Sequence, residues 1–409
     1  MKSFQTHLEE SKNLHMEHVE DLVLNGGVAG AREAINFLRA VRDMLAGNAD
    51  SRVNITVKWD GAPAVFAGVD PRDGEFFVAK KGIFNKTPKI YKTEAEIKAD
   101  TSGDLQNKLI LALKHFRDLG ITNVVQGDFL FSSDDIKKAT IDGEEYLTFQ
   151  PNTIVYAVPA KSKLAREISS AKIGVVWHTS YEGESFENMR ANYTDSIDEK
   201  LRKNKNVFTT DAEYRDVSGA ANMTKKETDE ITKILSEAGT LFRTIDAKTL
   251  NGISEDSELL TRVKTFNNTK VRSGERIRNV RKHVDELIDH ILGYYGAEEE
   301  KRKTERGKAT PRAKKAQVMR FFSNTNKKNL EKIFQLQNLL VDAKQILINK
   351  LNRVKTLGTF VLTDQGYKVT GQEGFVAIDK LKGDAVKLVD RMEFSYNNFS
   401  PNIKKGWQR

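Results

Sequence analysis

The chain contains no cysteine and no long apolar segment, and both absences restrict what it can be. Without cysteine it has no disulfide, no thiolate metal site and no cysteine nucleophile. No run approaches the ~18 apolar residues of a membrane-spanning helix, so we expect no membrane span. The first residues are rich in carboxylates and lack a secretory apolar core, so we expect no signal peptide. The absence of cysteine agrees with a cytoplasmic setting, which we expect.

Positive charge is in modest excess. The 409 residues include 66 Lys and Arg against 57 Asp and Glu, a formal net charge of +9. This excess favours a polyanionic partner such as nucleic acid. The densest basic run is 301–315, with eight basic residues and one acidic residue. Such a run is typical of a partly disordered, solvated connector, and contact with a phosphate backbone is the alternative.

Hydrophobic periodicity changes along the chain and predicts two domains. Helical spacing marks 4–46, with a break at Asn25-Gly26-Gly27, and strand patterns follow from 53 to about 190. Residues 191–355 show almost no strand signal, and a capping box of Thr224 and Glu227 opens a helix there. Strand patterns then return. We predict an α+β domain of antiparallel sheets with flanking helices, 1–190 and 356–409, interrupted by an all-α, basic insertion domain at 191–355.

The stretch "TVKWDGAPAVFAG", 56–68, places Lys58, Asp60 and Gly61 at the end of a predicted strand. A lysine before an Asp-Gly turn is the simplest interpretation. A lysine can also act as a covalent nucleophile when burial or neighbouring positive charge keeps its amine neutral. Attack on a nucleotide phosphate further requires carboxylates for a divalent cation and other cations for the phosphates.

Lysines and carboxylates that could meet these requirements occur at four later positions of the chain. Lys81 lies in "AKKGIF", Asp128 in "QGDFLF", Glu373 in "EGFVAID" and Lys387 in "AVKLVD". With "KWDG", these stretches resemble the motifs of the covalent nucleotidyltransferases, the superfamily of ATP-dependent DNA ligases, RNA ligases and mRNA capping enzymes. The resemblance covers roughly 50–190 and 360–395, about half of the chain.

The resemblance implies a role for each of these residues. Lys58 would attack the α-phosphate of ATP and carry AMP as a phosphoramidate, with Asp60 and Gly61 in the nucleotide-binding loop. Lys387 would contact the α-phosphate, Lys81 would contact a phosphate or the end of the nucleic-acid strand, and Asp128 would bind the ribose. Glu373 would hold Mg²⁺ or Mn²⁺. Trp177 is the predicted stacking partner of the adenine, with Tyr156 as the alternative.

Three features depart from the pattern of the family. Asp128 stands where a longer Glu is usual, so its reach to the ribose is shortened. Position 385 is Ala where a second lysine is usual, and Lys382 is a possible substitute. The sequence after Lys387 has no room for the OB-fold that DNA ligases and capping enzymes generally carry, which is also true of phage RNA ligases.

The predicted function is therefore an ATP-dependent polynucleotide ligase of the phage type. It would join 3′-hydroxyl and 5′-phosphate ends of RNA, DNA or both, in nicked duplexes or single strands, as a monomer in the host cytoplasm. One alternative is a non-catalytic nucleic-acid-binding or virion protein with a degenerate nucleotidyltransferase domain. Another is a capping guanylyltransferase, which would prefer GTP.

Overall fold

The computed structural model describes residues 16–47, 53–193, 196–214, 219–354, 357–379 and 384–408. These residues form a mixed α+β protein with three β-sheets. The predicted α+β class and the antiparallel sheets are confirmed. Lys382, the possible substitute for the missing lysine, lies outside the described residues.

The strands are short and rich in β-branched and aromatic residues, the composition that favours a pleated, half-buried surface. In chain order they are β1 Val53–Lys58, β2 Ala64–Val69, β3 Phe76–Ala79, β4 Val124–Ser132, β5 Lys137–Ile141, β6 Glu144–Phe149, β7 Ile154–Pro159, β8 Ile173–Glu182, β9 Arg190–Asn192, β10 Val207–Asp211, β11 Gly358–Thr363, β12 Gly366–Val369, β13 Gly374–Asp379, β14 Ala385–Leu388 and β15 Ile403–Lys404.

These strands pair into three sheets. The three-stranded sheet has the order β1-β13-β14. The central sheet has the order β10-β8-β4-β2-β3, with β9 on β8, and the outer sheet has the order β12-β11-β7-β6-β5, with β15 on β11. The pairs are antiparallel, except that β10 runs parallel to β8.

The helices alternate with the strands in the first half of the chain and dominate its second half. In chain order they are α1 Leu22–Asn25, α2 Gly27–Leu45, α3 Glu94–Asp100, α4 Gly103–Phe116, α5 Lys163–Ser170, α6 Ile197–Lys200, α7 Lys225–Phe242, α8 Ala247–Glu255, α9 Ser257–Arg272, α10 Val280–Glu300, α11 Glu305–Met319, α12 Asn324–Leu351 and α13 Arg391–Phe399. The predicted break near Gly26 and the capping box of Thr224 and Glu227 are both confirmed.

Several apolar cores hold the sheets in place, and the two largest pack helices against a sheet. α4 packs Leu109, Leu113 and Phe116 against one face of the central sheet. Residues of the opposite face, among them Leu130 and Val176, pack with Phe149 and Tyr156 of the outer sheet. A larger core joins α1, α2 and the helices α7–α12 to one face of the three-stranded sheet, where Phe375 and Leu388 contribute. The helical part of the protein therefore supports the sheet that carries Lys58.

Two sequence-based expectations about the region 191–355 are wrong. β10 lies within this region and extends the central sheet beside β8, because its backbone continues the hydrogen-bond ladder of Ile173–Trp177. The basic run 301–315 is largely helical rather than a disordered connector. The Thr304 hydroxyl caps α11, and Arg312 pairs with Glu299 and Glu305. The N-terminal helices also share a core with the predicted insertion, so the predicted domain boundaries divide one apolar core.

A buried ion pair joins the N-terminal segment to the helical part. Glu20 and Lys344 of α12 are both almost fully buried, and Lys344 Nζ lies 2.7 Å from Glu20 Oε1. Arg391 approaches the same carboxylate at 3.9 Å and pairs with Asp21 at 3.1 Å. A pair that is desolvated in this way is costly to break from one side, because an unpaired charge then remains in the interior.

We expect Lys344→Met to lower the free energy of unfolding by about 3–5 kcal/mol, since Glu20 then loses its principal partner. Urea denaturation followed by circular dichroism measures this. Lys328→Met, on an exposed position of the same helix, is the control and should change stability by less than about 0.5 kcal/mol. The double variant Glu20→Gln/Lys344→Met should recover much of the loss. If it is no more stable than Lys344→Met alone, the loss does not come from the ion pair.

Candidate active site

Lys58 and Glu373 meet because β1 and β13 pair over their whole length. The antiparallel register sets Lys58, the last residue of β1, opposite Gly374, the first residue of β13. Glu373 comes directly before that strand, and its carboxylate forms an ion pair with the Lys58 ammonium group. The carboxylate is nearly buried, whereas the lysine remains partly exposed. The two residues lie far apart in sequence, and only the strand pairing brings them together.

Lys387 enters the same site from the next strand. It lies on β14 opposite Val376 of β13, so it is within the three-stranded sheet on which Lys58 and Glu373 also lie. Its backbone N–H donates a 2.8 Å hydrogen bond to the carbonyl of Glu17. His18 pairs with Lys387 in an isolated parallel β-bridge. The N-terminal segment therefore fixes the outer edge of this strand.

Asp60 anchors the loop that follows Lys58. Its carboxylate accepts hydrogen bonds from Asn152 Nδ2 at 2.6 Å, from the Thr153 N–H at 2.7 Å and from the Ile154 N–H at 2.6 Å. Its own N–H donates to the Tyr156 hydroxyl at 2.7 Å. Because these bonds engage a buried carboxylate, Asp60 holds the loop against the start of β7 rather than presenting a free ligand.

Gly61 allows the loop to approach the central sheet closely. A Cβ atom at this position would lie 2.5 Å from the Asp128 Cβ and 3.0 Å from the Phe129 carbonyl oxygen. Asp128 of β4 therefore lies directly against the loop of Lys58. His178 of β8 completes this side, with Nε2 3.7 Å from Asp128 Oδ2 and Nδ1 2.8 Å from Thr179 Oγ1.

Lys81 belongs to the rim of the site. It is exposed in the turn that follows β3. Its charge nevertheless acts on the site, because it helps to lower the pKa of Lys387 and opposes the rise that burial causes in the pKa of Asp128. Five of the predicted site residues, Lys58, Lys81, Asp128, Glu373 and Lys387, thus share one electrostatic environment, and Asp60 and Gly61 shape the loop between them.

Burial shifts the acids and the bases of this site in opposite directions. Burial raises the pKa of Glu373 to about 7, although Lys58 acts against this shift, and it also raises the pKa of Asp128. Burial lowers the pKa of His178, and burial together with the Lys58 charge lowers the pKa of Lys387. Each shift disfavours the charged form, as expected of ionisable groups that have lost water. Opposed shifts within one cleft are typical of functional sites.

The prediction that Trp177 stacks on a base is wrong, and the alternative, Tyr156, fails as well. Trp177 is fully buried on the α4 face of the central sheet, where it packs edge-on against Phe116 at 5.3 Å. Tyr156 is also fully buried, and its ring packs against Trp59 at 4.9 Å. Neither ring is available to a ligand in this structure.

His178 is the site residue that the sequence analysis missed. Side chains alternate between the two faces of a strand, so the neighbour of a buried Trp177 points towards the opposite face. A bulge between β4 and β8 falls at this position, since Gln126 pairs with Thr179 and Gly127 with Trp177. The alternation rule applied to "VVWHTSY" would have identified His178 once Trp177 was assigned to the core.

The carboxylates suit a hard divalent cation that keeps other ligands. Among the described residues, no group of three or more His, Asp or Glu side chains is arranged to hold a metal ion. Mg²⁺ usually binds one or two carboxylates and completes its shell with water and substrate phosphates. Glu373 fits such a partial site, because it is desolvated and its neighbour Asp128 adds further negative charge.

The fold and the site define a mixed α+β protein with a lysine and carboxylate cleft between its sheets. The chain belongs to the DUF6267 family, a family of unknown function, whose model matches residues 13–404. No curated protein and no solved structure matches the chain. In the described part of the chain, no helix combines the length and the apolarity that crossing a membrane would require.

The raised pKa of Glu373 predicts a pH-dependent stability. Because its pKa of about 7 in the folded protein exceeds the unfolded value, the associated stability is complete below about pH 4.5 and is lost as the pH rises to 7. Glu373→Gln cannot ionise, so its stability relative to wild type should increase by about 1–3 kcal/mol between pH 5 and pH 8. Denaturant unfolding at both pH values measures this.

Glu227→Gln is the control, because the pKa of Glu227 is shifted in the opposite direction from that of Glu373. Hydrogen bonding to Lys350 lowers the pKa of Glu227 to about 2, so its contribution is present above about pH 4.5 and is lost at lower pH. This variant should show a constant deficit from pH 5 to pH 8. A Glu373→Gln profile parallel to that of Glu227→Gln would contradict the desolvation of Glu373.

Proposed function

We propose that this protein is a covalent nucleotidyltransferase, and more narrowly an ATP-dependent polynucleotide ligase. The observation that carries the proposal is the convergence of Lys58, Asp128, Glu373 and Lys387, from widely separated parts of the chain, on the end of β1. A nucleophile, two desolvated carboxylates and a second cation are the groups that nucleotidyl transfer to lysine requires.

The first reaction would form a covalent intermediate on Lys58. The Nζ atom attacks the α-phosphorus of ATP, the bond to the β-phosphate oxygen breaks, pyrophosphate leaves and the amine gives up its proton to solvent. Lys387 and Lys81 would balance the negative charge of the phosphates. A divalent cation at Glu373 would add charge neutralisation at the triphosphate. The hydrogen bonds of Asp60 and the close approach at Gly61 hold the loop after Lys58 near β4.

Two further transfers would complete ligation. An oxygen of a 5′-phosphate end attacks the phosphorus of the lysyl-AMP, which frees Lys58 and forms an adenylated end. A 3′-hydroxyl then attacks that 5′-phosphate, and AMP leaves as the strands are joined. The substrate would be RNA, DNA or both. The resemblance to ligases and the net charge of +9 support a nucleic acid as the acceptor.

The decisive experiment is incubation of the purified protein with α-labelled ATP and Mg²⁺ or Mn²⁺, followed by denaturing electrophoresis and intact mass. We expect one AMP on the wild-type chain and none on Lys58→Ala, because the phosphoramidate needs that amine. Lys89→Ala, which removes an exposed lysine paired with Asp100, is the matched control and should retain labelling. Labelling with GTP but not ATP would favour a capping guanylyltransferase.

A pre-adenylated strand separates ligation from self-labelling. Because its 5′ end already carries AMP, sealing of a nick no longer needs the Lys58 nucleophile. Lys58→Ala should therefore seal this substrate without ATP, whereas it should not seal a plain 5′-phosphate end. If no nucleotide attaches with any metal and neither substrate is sealed, the ligase proposal fails and a non-catalytic binding protein remains.

We assign His178, rather than Trp177, to the nucleotide. His178→Ala should weaken ATP binding in calorimetry while lowering the free energy of unfolding by less than about 1 kcal/mol, because the imidazole is partly exposed. Trp177→Ala empties a core position and should cost about 3–5 kcal/mol. Unchanged ATP affinity in His178→Ala would exclude this assignment.

A further inference from the structure

Two basic segments of the chain differ in how their charge is neutralised. In the run 301–315, five of the eight basic residues make ion pairs within the helical part, to Glu258, Glu298, Glu299 and Glu305. The segment "KLRKNK", 200–205, contains four basic residues and no acidic one. The charge of the run 301–315, the densest basic run of the sequence, is therefore partly neutralised by ion pairs in the fold.

The shorter segment folds against other cations. The Arg202 N–H donates to the Leu119 carbonyl at 2.8 Å, which holds the segment to the end of α4. The Lys172 N–H donates to the Asn206 carbonyl at 2.8 Å, which brings the start of β8 to the same place. Burial and the charges of Lys114 and Lys172 lower the pKa of His115, with Asp118 acting in the opposite sense.

These contacts define one exposed basic patch at the end of α4. It comprises Lys114, Arg117, Lys172, Arg202, Lys203 and Lys205. Within the residues that the structure describes, none of the six makes an ion pair. Asp118 lies close enough to act on His115 beside Lys114. Six like charges on one surface repel one another, and the negative charge of a polyanion that covers them offsets this repulsion. The condensed counterions that the polyanion releases on binding favour the complex further.

We propose that the basic patch binds the phosphate backbone of the nucleic acid on which the protein acts. The proposal rests on the proposed function for its choice of partner, and the charge of the patch supports that choice. A membrane surface is less suited, because basic membrane-binding surfaces also insert apolar side chains. The exposed large apolar residues of the described chain lie elsewhere, at Tyr367, Val369, Tyr396, Phe399 and Trp407.

The positions of Lys172 and His178 along β8 give the distance between the patch and the site. Lys172 directly precedes β8 and His178 lies within it, so the strand rise separates the two by about 20 Å. This span corresponds to about six base pairs of duplex at 3.4 Å per step. A nucleic acid whose reacting end lies at Lys58 would reach the patch only if it extends that far.

The test compares two triple variants of equal charge change. Arg202→Ala/Lys203→Ala/Lys205→Ala removes three cations of the patch, and Lys301→Ala/Arg302→Ala/Lys314→Ala removes three cations that are ion-paired. Anisotropy of a labelled, 5′-phosphorylated duplex much longer than the span measures affinity against salt. We expect the patch variant to bind at least about tenfold more weakly, with a salt slope smaller by about 2–3. The control should stay within about twofold of wild type.

Several outcomes would overturn the proposal. An equal loss in both variants would mean that only net charge matters, and no loss in the patch variant would exclude the patch. Loss of binding to anionic phospholipid vesicles, with duplex binding unchanged, would assign the patch to a membrane surface.

The experiment also separates this proposal from the ligase proposal. Labelling of Lys58 by ATP needs no nucleic acid, so the patch variant should still form lysyl-AMP at the wild-type level. If labelling fails in every variant but the patch variant still loses duplex binding, the nucleic-acid surface stands and the ligase reaction does not.

Discussion

The pairing of β1 with β13 is the constraint on which the site depends. Six consecutive residue pairs fix its register, so Lys58 and Glu373 meet without any flexible segment between them. A slip by one residue would turn the side chains of β1 to the wrong face and separate the amine from the carboxylate. The helices α1, α2 and α7–α12 cover one face of this sheet and so hold the register. The large helical region therefore supports the sheet on which the site is built.

Desolvation gives the site its chemical character. The carboxylates of Glu373 and Asp128 and the bases Lys387 and His178 all have pKa values displaced towards their neutral forms. Such a site favours a ligand that carries both signs of charge, such as a nucleotide with a divalent cation. The carboxylates then interact with the cation, and the bases interact with the phosphates.

The sequence predicted the polar residues of the site better than its aromatic ones. Lys58, Glu373 and Lys387 were chosen because short motifs around them resemble those of the nucleotidyltransferases, and the structure brings these three residues together on one sheet. The burial of Trp177 depends on α4 covering that face of the central sheet, which the local pattern does not contain. The helical state of 301–315 depends on a Thr304 cap and on glutamates of neighbouring turns and helices. β10 was missed because a five-residue strand with little apolar alternation is recognised only by its partner.

The pairing of β1 with β13 also sets an order of events during synthesis. β1 leaves the ribosome roughly 300 residues before β13, which at about 5–20 residues per second is some 15–60 s. During that time its edge has no β13 to pair with, and the apolar face of α2 lacks the helices that later cover it. Nascent chains of this protein therefore carry an unpaired strand and an uncovered helix for most of their translation.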